Sequence, residues 1–259
     1  MNAVFEISKT SLLLVCFLVF IAGFVDASAG GGGIISLPAY FFTGMPAHMA
    51  LGCNKFSGTC GNIFSALKFW RGGAVRIKTA ITAAAASFAG SACGSMTALV
   101  LSEQVIKTMV LVILPCAAAI IFLRKDMSDE DRSCLLRPVH AAMLAIAIGF
   151  LIGFYDGLFG PGTGTFAIMA FSALMGFDLK TASGNAKVLN LASNTASLIT
   201  FAAAGNILYS IAVPAAVCGI AGNFAGAHMA LTRGSKFIRP MMLCVLALLM
   251  LKILWDLLA

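Results

Sequence analysis

"GFVDASAGGGGIISLP", residues 23–38, places an aspartate and then four consecutive glycines directly after an apolar run. Glycine allows the backbone to leave a helix, and a charged residue inside a membrane is costly unless it serves a site. The pattern returns as "GFYDGLFGPG" at 153–162, which pairs Asp26 with Asp156. The recurrence predicts an internal repeat with a glycine-rich helix break in each half.

The composition predicts an all-α polytopic membrane protein. Hydrophobic residues make up 60% of the 259 residues and charged residues only 10%, with a mean hydropathy of +0.99. Such a chain is too apolar for a soluble globule. Several stretches approach the ~20 residues that a helix needs to cross a bilayer: 11–25, 79–101, 105–123, 138–155, 208–231 and 240–258.

Charge and cysteine usage exclude other classes of site. The net charge of +7 arises from Lys and Arg in short loops, which favours a topology signal over nucleic-acid binding. The eight cysteines lie mostly in apolar stretches without the spacing of a zinc site or a disulfide framework. The three histidines are scattered. We therefore expect no metal, no cofactor and no nucleic-acid partner.

The repeat continues beyond the glycine motifs and divides the chain. It pairs Lys55 with Lys187 and Asn62 with Asn194. A cleaved signal peptide would not recur in mid-chain, so the N-terminal apolar run is interpreted as a membrane helix. The predicted units are a first membrane repeat, a charged cytoplasmic linker and a second membrane repeat, at 1–123, 124–137 and 138–259.

Loop charges predict that the two repeats are inverted in the cell (inner) membrane. "RGGAVRIK" at 71–78 is basic, whereas its counterpart "AGNILYS" at 204–210 carries no charge, which places the first inside and the second outside. About five segments per half give the odd number that inversion requires, and both termini then lie outside. The sequence leaves open whether the short segments 33–45 and 163–177 span or re-enter. The five segments of the first half are 8–27, 33–45, 55–70, 79–100 and 105–123.

The broken helices predict a binding site for a small anion. Irregular backbone at membrane depth is tolerated where it lines a cavity, and the half-helices after the glycines would aim positive dipole ends at it. Inverted-repeat transporters bind substrate at such breaks near the midplane. The candidate substrate-binding residues are Gly30, Gly31, Gly32, Gly33, Asn54, Lys55, Ser57, Asn62, Gly160, Gly162, Thr163, Gly164, Asn185, Lys187, Asn190 and Asn194.

The charged residues in the membrane segments allow more than one role. Lys55 and Lys187 either face the anion, extend from helix ends, or pair with Asp26 and Asp156. The two aspartates are also candidate coupling residues for a proton or sodium ion. The asparagines, serines and threonines either line the site or join helices. The glycine pairs Gly90/Gly94 and Gly222/Gly226 predict close helix packing.

Four motifs resemble the TauE/SafE family of membrane permeases, called sulfite exporters. They are "GFVDASAGGGGIISLPA", "MALGCNKFSGTCGNIFSALKF", "GFYDGLFGPGTGTF" and "SGNAKVLNLASN", in the expected order over nearly the whole chain. The resemblance implies a secondary transporter that moves sulfite, sulfonates or related anions out of the cell, with no enzymatic step. The family commonly has Thr where this chain has Cys53, a difference that bears on substrate preference.

Two other classes of function share features with this sequence. An intramembrane aspartyl protease would use Asp26 and Asp156 as a dyad, but such a dyad needs both carboxylates at one site. An ion channel is less well supported, because the sequence contains no repeat like a selectivity filter. A permease for another small anion stays open, as do the substrate, the coupling ion and the oligomeric state.

Overall fold

The computed structural model describes residues 8–102, 105, 131–133 and 136–244, and its regular elements in these ranges are helices. This confirms the all-α prediction for the described part of the chain. The predicted segments 105–123 and 240–258 and the linker lie largely outside it. The helices are α1 (Lys9–Ala29), α2 (Gly33–Phe41), α3 (Ala47–Arg71), α4 (Ile77–Val100), α5 (Pro138–Leu158), α6 (Thr163–Met175), α7 (Leu179–Ala203) and α8 (Tyr209–Arg233), and residues 235–244 are also helical.

Within the residues that the structure describes, four helices, α1, α4, α5 and α8, are long and apolar enough to cross a membrane. The 25-residue helices α3 and α7 are equally long but carry polar residues along their buried faces. Helix α3 begins at Ala47, well before the predicted start at residue 55. Asn54 and Lys55 therefore lie inside this helix, where both are buried. The nine residues of α2 and the 13 of α6 are each too short to cross the ~30 Å hydrocarbon layer.

The predicted helix breaks are present in both halves, and they touch each other. Gly30 ends α1 in the left-handed region, with φ of 79°, and Gly162 precedes α6 with φ of 81°. The Thr165 amide donates to the Gly30 carbonyl at 3.2 Å, and the Thr165 hydroxyl donates to the Ala29 carbonyl at 2.7 Å. A Cβ on Gly164 would lie 2.4 Å from the Gly30 Cα. Glycine is therefore required for this contact.

Glycines also set the close packing of α4 on α5 and of α1 on α8. A Cβ on Gly90 would lie 2.2 Å from the Phe150 carbonyl oxygen, and one on Gly222 would lie 2.0 Å from that of Phe20. Gly94 and Gly226 make equivalent backbone contacts. The packing role predicted for these four glycines is confirmed.

The two halves interlock around a central pair of antiparallel helices. Helix α4 of the first half packs on α5 and α7, and α8 of the second half packs on α1 and α3. Gly52, near the start of α3, lies against the Asn206 carbonyl after α7, and Gly184, near the start of α7, lies against the Ala74 carbonyl after α3. Repeat partners α3 and α7 therefore run in opposite directions through the centre of the molecule.

Buried apolar side chains form two clusters in the described part of the chain. One includes Ile168, Phe171 and Leu189, and the other includes Tyr40 and Phe159. The interior of α3 and α7 contributes buried polar residues instead. These polar faces meet the two helix breaks and form the candidate site.

Candidate functional site

A small polar cavity lies where the two helix breaks meet α3, α7 and α8. Its volume is about 50 Å³, which is enough for a few water molecules or a small oxyanion. Glycines and polar residues dominate its wall. The lining residues are Val19, Ala22, Gly23, Asp26, Gly30, Gly32, Gly33, Ser36, Asn54, Lys55, Ser57, Gly58, Asn62, Asp156, Gly160, Thr163, Gly164, Asn190, Asn194, Gly219 and Asn223.

The first ion pair of the site joins Lys55 of α3 to Asp156 of α5. The Lys55 Nζ lies 2.9 Å from the Asp156 Oδ2 and also donates to the backbone carbonyl of Asp156. The Ser193 hydroxyl donates to the same carboxylate oxygen at 2.6 Å. Both charged side chains are almost fully buried. The Asp156 carboxylate is thus held by two donors, one from each central helix.

The second ion pair joins Lys187 of α7 to Asp26 of α1. The Lys187 Nζ donates to the Asp26 Oδ2 at 2.6 Å and to the Asn62 Oδ1 at 3.4 Å. Lys187 is fully buried behind the cavity wall, whereas the Asp26 side chain is 19% exposed and lines the cavity. Each lysine is therefore paired with the aspartate of the opposite half.

Neutral polar groups complete the wall of the cavity. The Ser36 hydroxyl donates to the Asn54 Oδ1 at 2.6 Å, which connects α2 to α3. The Tyr40 hydroxyl donates to the Ser57 Oγ at 3.0 Å. Among the described residues, the Oδ1 atoms of Asn190 and Asn223 are buried and have no hydrogen-bond partner. Both residues line the cavity, so buried acceptor oxygens without a partner lie in its wall.

Most of the residues predicted for the site lie on the cavity wall, but four do not. Gly31 and Gly162 belong to the breaks without lining the cavity, and Lys187 lies behind Asp26. The Asn185 amide nitrogen donates to the Thr181 carbonyl within α7. Two residues along a helix turn the side chain by about 200°, so Asn185 and Lys187 face different sides of α7.

Sequence reasoning missed three polar residues at or near the site, namely Ser36, Ser193 and Asn223, and one lining glycine, Gly58. Asn223 is an amide between the packing glycines in the apolar middle of α8, and that isolation is a signal for a buried polar role. Ser193 precedes Asn194 on α7, and no sequence pattern indicated that its side chain belongs to the site. Its hydroxyl binds the Asp156 carboxylate only because α5 packs beside α7.

The geometry separates the two aspartates. Lys55, the partner of Asp156, and Asn62, which shares Lys187 with Asp26, are seven residues apart on α3, or about 10 Å along the helix axis. Each carboxylate is engaged by its own lysine. This arrangement disfavours an acid dyad that shares one proton. Within the described residues, no cluster of three or more His, Cys, Asp or Glu residues could hold a metal ion.

The cavity combines features that suit a small anion. Lys55 places an ammonium group on the wall, and α2 and α6 begin at the two breaks, where several of their first amides donate to break carbonyls such as those of Gly32 and Gly30. The positive ends of both half-helix dipoles point toward the breaks. The aspartates balance the lysines, so the four charged side chains sum to zero before a ligand enters.

Comparison with known proteins gives the family. The sulfite exporter TauE/SafE family model matches residues 15–253. The chain is 32% identical over 255 residues to "Probable membrane transporter protein YfcA" of Escherichia coli (strain K12), covering 98% of this chain and 94% of that protein. It is 35% identical over 246 residues to "Probable membrane transporter protein" of Haemophilus influenzae, covering 95% of each chain. No solved structure gives a significant match. The chain belongs to the TauE/SafE family of membrane transporters.

Proposed function

We propose that this TauE/SafE family member is a secondary transporter that exports small anions of the sulfite or organosulfonate type through the polar cavity. The observation that carries the proposal is the meeting of two helix breaks around Lys55. The buried ammonium group of Lys55 can provide a charge-assisted hydrogen bond to an anion, and the positive dipole ends of α2 and α6 favour negative charge at the breaks. The family description supports sulfite as the first substrate to test.

We further propose that the two halves are inverted repeats in the cell (inner) membrane. The antiparallel repeat partners α3 and α7 support this arrangement. The Arg76 guanidinium contacts Asp131 at 2.6 Å, and the Arg132 amide donates to the Gly176 carbonyl, so the linker and the loop 71–76 share one end of the molecule. That end carries most of the described cationic residues, which supports its placement in the cytoplasm. Both termini would then lie outside.

We propose transport by alternating access, and the construction of the cavity supports it. Its wall comes from both halves, and each ion pair joins one half to the other. A relative movement of the halves would therefore open the cavity to one side or the other, as in other inverted-repeat transporters. Coupling to a proton or sodium ion would link transport to an ion gradient, with Asp26 and Asp156 as the candidate coupling residues.

A binding screen of the purified full-length protein tests the proposal. A ligand that binds only the folded state raises the melting temperature in a concentration-dependent way. We expect sulfite or a sulfonate to raise it more than sulfate, thiosulfate or simple carboxylates. A shift with carboxylates alone would favour a permease for another small anion. The absence of a shift and of radiolabel binding with all these anions would contradict the proposal.

The alternative of an intramembrane aspartyl protease makes a separate prediction. It requires cleavage of a transmembrane peptide that is lost when either Asp26 or Asp156 is replaced by Asn. The separate lysine partners of the two carboxylates argue against this chemistry. A cleavage assay with the purified protein distinguishes the two functions.

A further inference from the structure

We propose that the two ion pairs have unequal roles: Asp26 binds a proton when an anion enters the cavity, whereas Asp156 stays ionised in a fixed pair with Lys55. The inference rests on the proposed function, because the proton balances the charge of the bound anion. It also assigns the coupling step to one of two carboxylates that the sequence repeat makes equivalent.

The partners of the two carboxylates differ. Asp156 accepts hydrogen bonds from Lys55 and Ser193, and 4% of its side chain is exposed. Among the described contacts, Asp26 accepts a side-chain hydrogen bond from Lys187 alone, and 19% of its side chain is exposed. Hydrogen bonds to a carboxylate favour its charged form. Asp26 therefore has fewer donors that hold it in the charged form, and it is the carboxylate more accessible from the cavity.

The sequence explains why one carboxylate has a serine partner and the other has none. The repeat that pairs Asn62 with Asn194 also pairs Gly61 with Ser193. A Cβ at position 61 would lie 2.2 Å from the Asn223 side-chain nitrogen, so α8 occupies the space that a serine would need. The asymmetry is therefore built into the packing of α3 on α8.

Charge balance connects the proton to the anion. The four charged side chains of the site are Asp26, Lys55, Asp156 and Lys187, and their formal charges cancel. An added anion leaves a net negative charge in a poorly solvated cavity, which is unfavourable. A proton from solvent that forms an O–H bond on Asp26 restores neutrality, because the positive charge of Lys187, which lies behind Asp26, then offsets the charge of the anion. Release of the anion returns the proton to solvent.

The surroundings of Asp26 fit a protonated carboxyl group. Protonation turns a carboxylate oxygen into a hydrogen-bond donor. Asn190 and Asn223 also line this cavity, and their buried Oδ1 atoms have no hydrogen-bond partner, so acceptors for such a donor lie in the same wall. From α7, α3 and α5, the charged groups that face this region are Lys187, Lys55 and Asp156. Helices α2, α6 and α8 add no charged residue to the cavity wall.

Infrared difference spectroscopy of the full-length protein tests the assignment, with sulfite as the probe. The carboxylic acid C=O band reports protonation of a side chain and is not affected by the titration of sulfite itself. We expect sulfite to produce this band in the wild-type protein. The band should be absent in the charge-neutral pair Asp26→Asn/Lys187→Gln. It should persist in the matched pair Lys55→Gln/Asp156→Asn when sulfite is raised to compensate for weaker binding.

Asp26→Glu provides a second variant if the paired substitutions fail to fold, because it keeps the charge and should shift the position of the band. The inference would be overturned if the carboxylic acid band were lost in the double variant Lys55→Gln/Asp156→Asn and retained in Asp26→Asn/Lys187→Gln. The absence of a band in wild-type protein that binds sulfite would also overturn it.

A second arm of the experiment separates this inference from the proposed function. Acidification without any anion should protonate Asp26 before Asp156. The carboxylic acid C=O band that appears first as the pH falls should therefore be missing in Asp26→Asn and present in Asp156→Asn. If this holds while sulfite neither binds nor changes the spectrum, anion transport is wrong and the inequality of the aspartates stands. The opposite order of protonation would overturn the inequality whether or not sulfite binds.

Discussion

The Lys187 ammonium group lies 2.6 Å from the Asp26 carboxylate, and this contact joins the second half of the chain to the first. The pair of Lys55 with Asp156 makes the reciprocal connection. Removing one partner of a buried ion pair leaves an uncompensated charge and typically costs about 3–5 kcal/mol. The two pairs therefore contribute to the stability of the interlocked halves as well as to the charge of the cavity.

Lys187→Gln should destabilise the protein, because it leaves the Asp26 carboxylate without its cation. The melting temperature of the ligand-free protein, followed by fluorescence-detected gel filtration over a heating series, should fall clearly. The paired variant Asp26→Asn/Lys187→Gln should recover most of the loss. Lys78→Gln, at an exposed position of α4, is the control and should melt like the wild type. A stable Lys187→Gln variant would show that the pair does not support the fold.

Gly222→Ala should destabilise the packing of α1 on α8. The added Cβ would lie 2.0 Å from the Phe20 carbonyl oxygen, and overpacking of this kind costs about 1–3 kcal/mol. Gly219→Ala, on the same helix, is the matched control, since its Cβ would first meet the Val19 side chain at 3.2 Å. A comparison of melting temperatures checks the prediction. Equal melting of the two variants would argue against backbone contact at Gly222.

Cysteine labelling in intact cells should reach Tyr209→Cys and miss Ile77→Cys. These side chains are exposed to a similar degree, 55% and 53%, so accessibility within the fold does not bias the comparison. A membrane-impermeant maleimide should modify only the first, because the loop 204–210 is proposed to lie outside and the loop 71–78 inside. Modification of both positions from the same side would reject the inverted arrangement.

Much of the architecture could be predicted from local sequence. Apolar stretches marked α1, α4, α5 and α8, and the glycine runs marked the two breaks, because helix length and backbone freedom are properties of short segments. The glycines of α4 and α8 likewise indicated close packing through their spacing alone. The polar character of Asn54 and Lys55, by contrast, obscured the true start of α3, which is buried among other helices.

The pairing within the site could not be predicted, since it depends on how distant helices meet. From the sequence, either lysine could pair with either aspartate, and no pattern indicated that Lys55 pairs with Asp156. Nor did it place Asn223 on the cavity wall, because α8 reaches the cavity only through its packing on α1 and α3. Asn185 was included although its helical position relative to Lys187 turns it to a different face of α7. Applying the helical period to α7 would have separated them.

Gly164→Ala should disrupt the contact between the two breaks. Its Cβ would lie 2.4 Å from the Gly30 Cα, so the breaks must move apart and reshape the cavity. We expect anion affinity to fall at least about tenfold, equivalent to ~1.4 kcal/mol. Thr163→Ser is the control, because a serine retains the hydroxyl that donates to the Gly160 carbonyl. Affinity unchanged in Gly164→Ala would indicate that the breaks do not shape the site.

The most direct test of anion binding in the cavity is equilibrium binding of radiolabelled sulfite to the wild-type protein and to Lys55→Gln/Asp156→Asn. The paired substitution keeps the cavity neutral while it removes the ammonium group from the wall. A charge-assisted contact is worth about 1.5–3 kcal/mol, so we predict a roughly 10- to 100-fold increase in Kd in a variant that remains monodisperse. Wild-type affinity in that variant would contradict the assignment of the anion to Lys55.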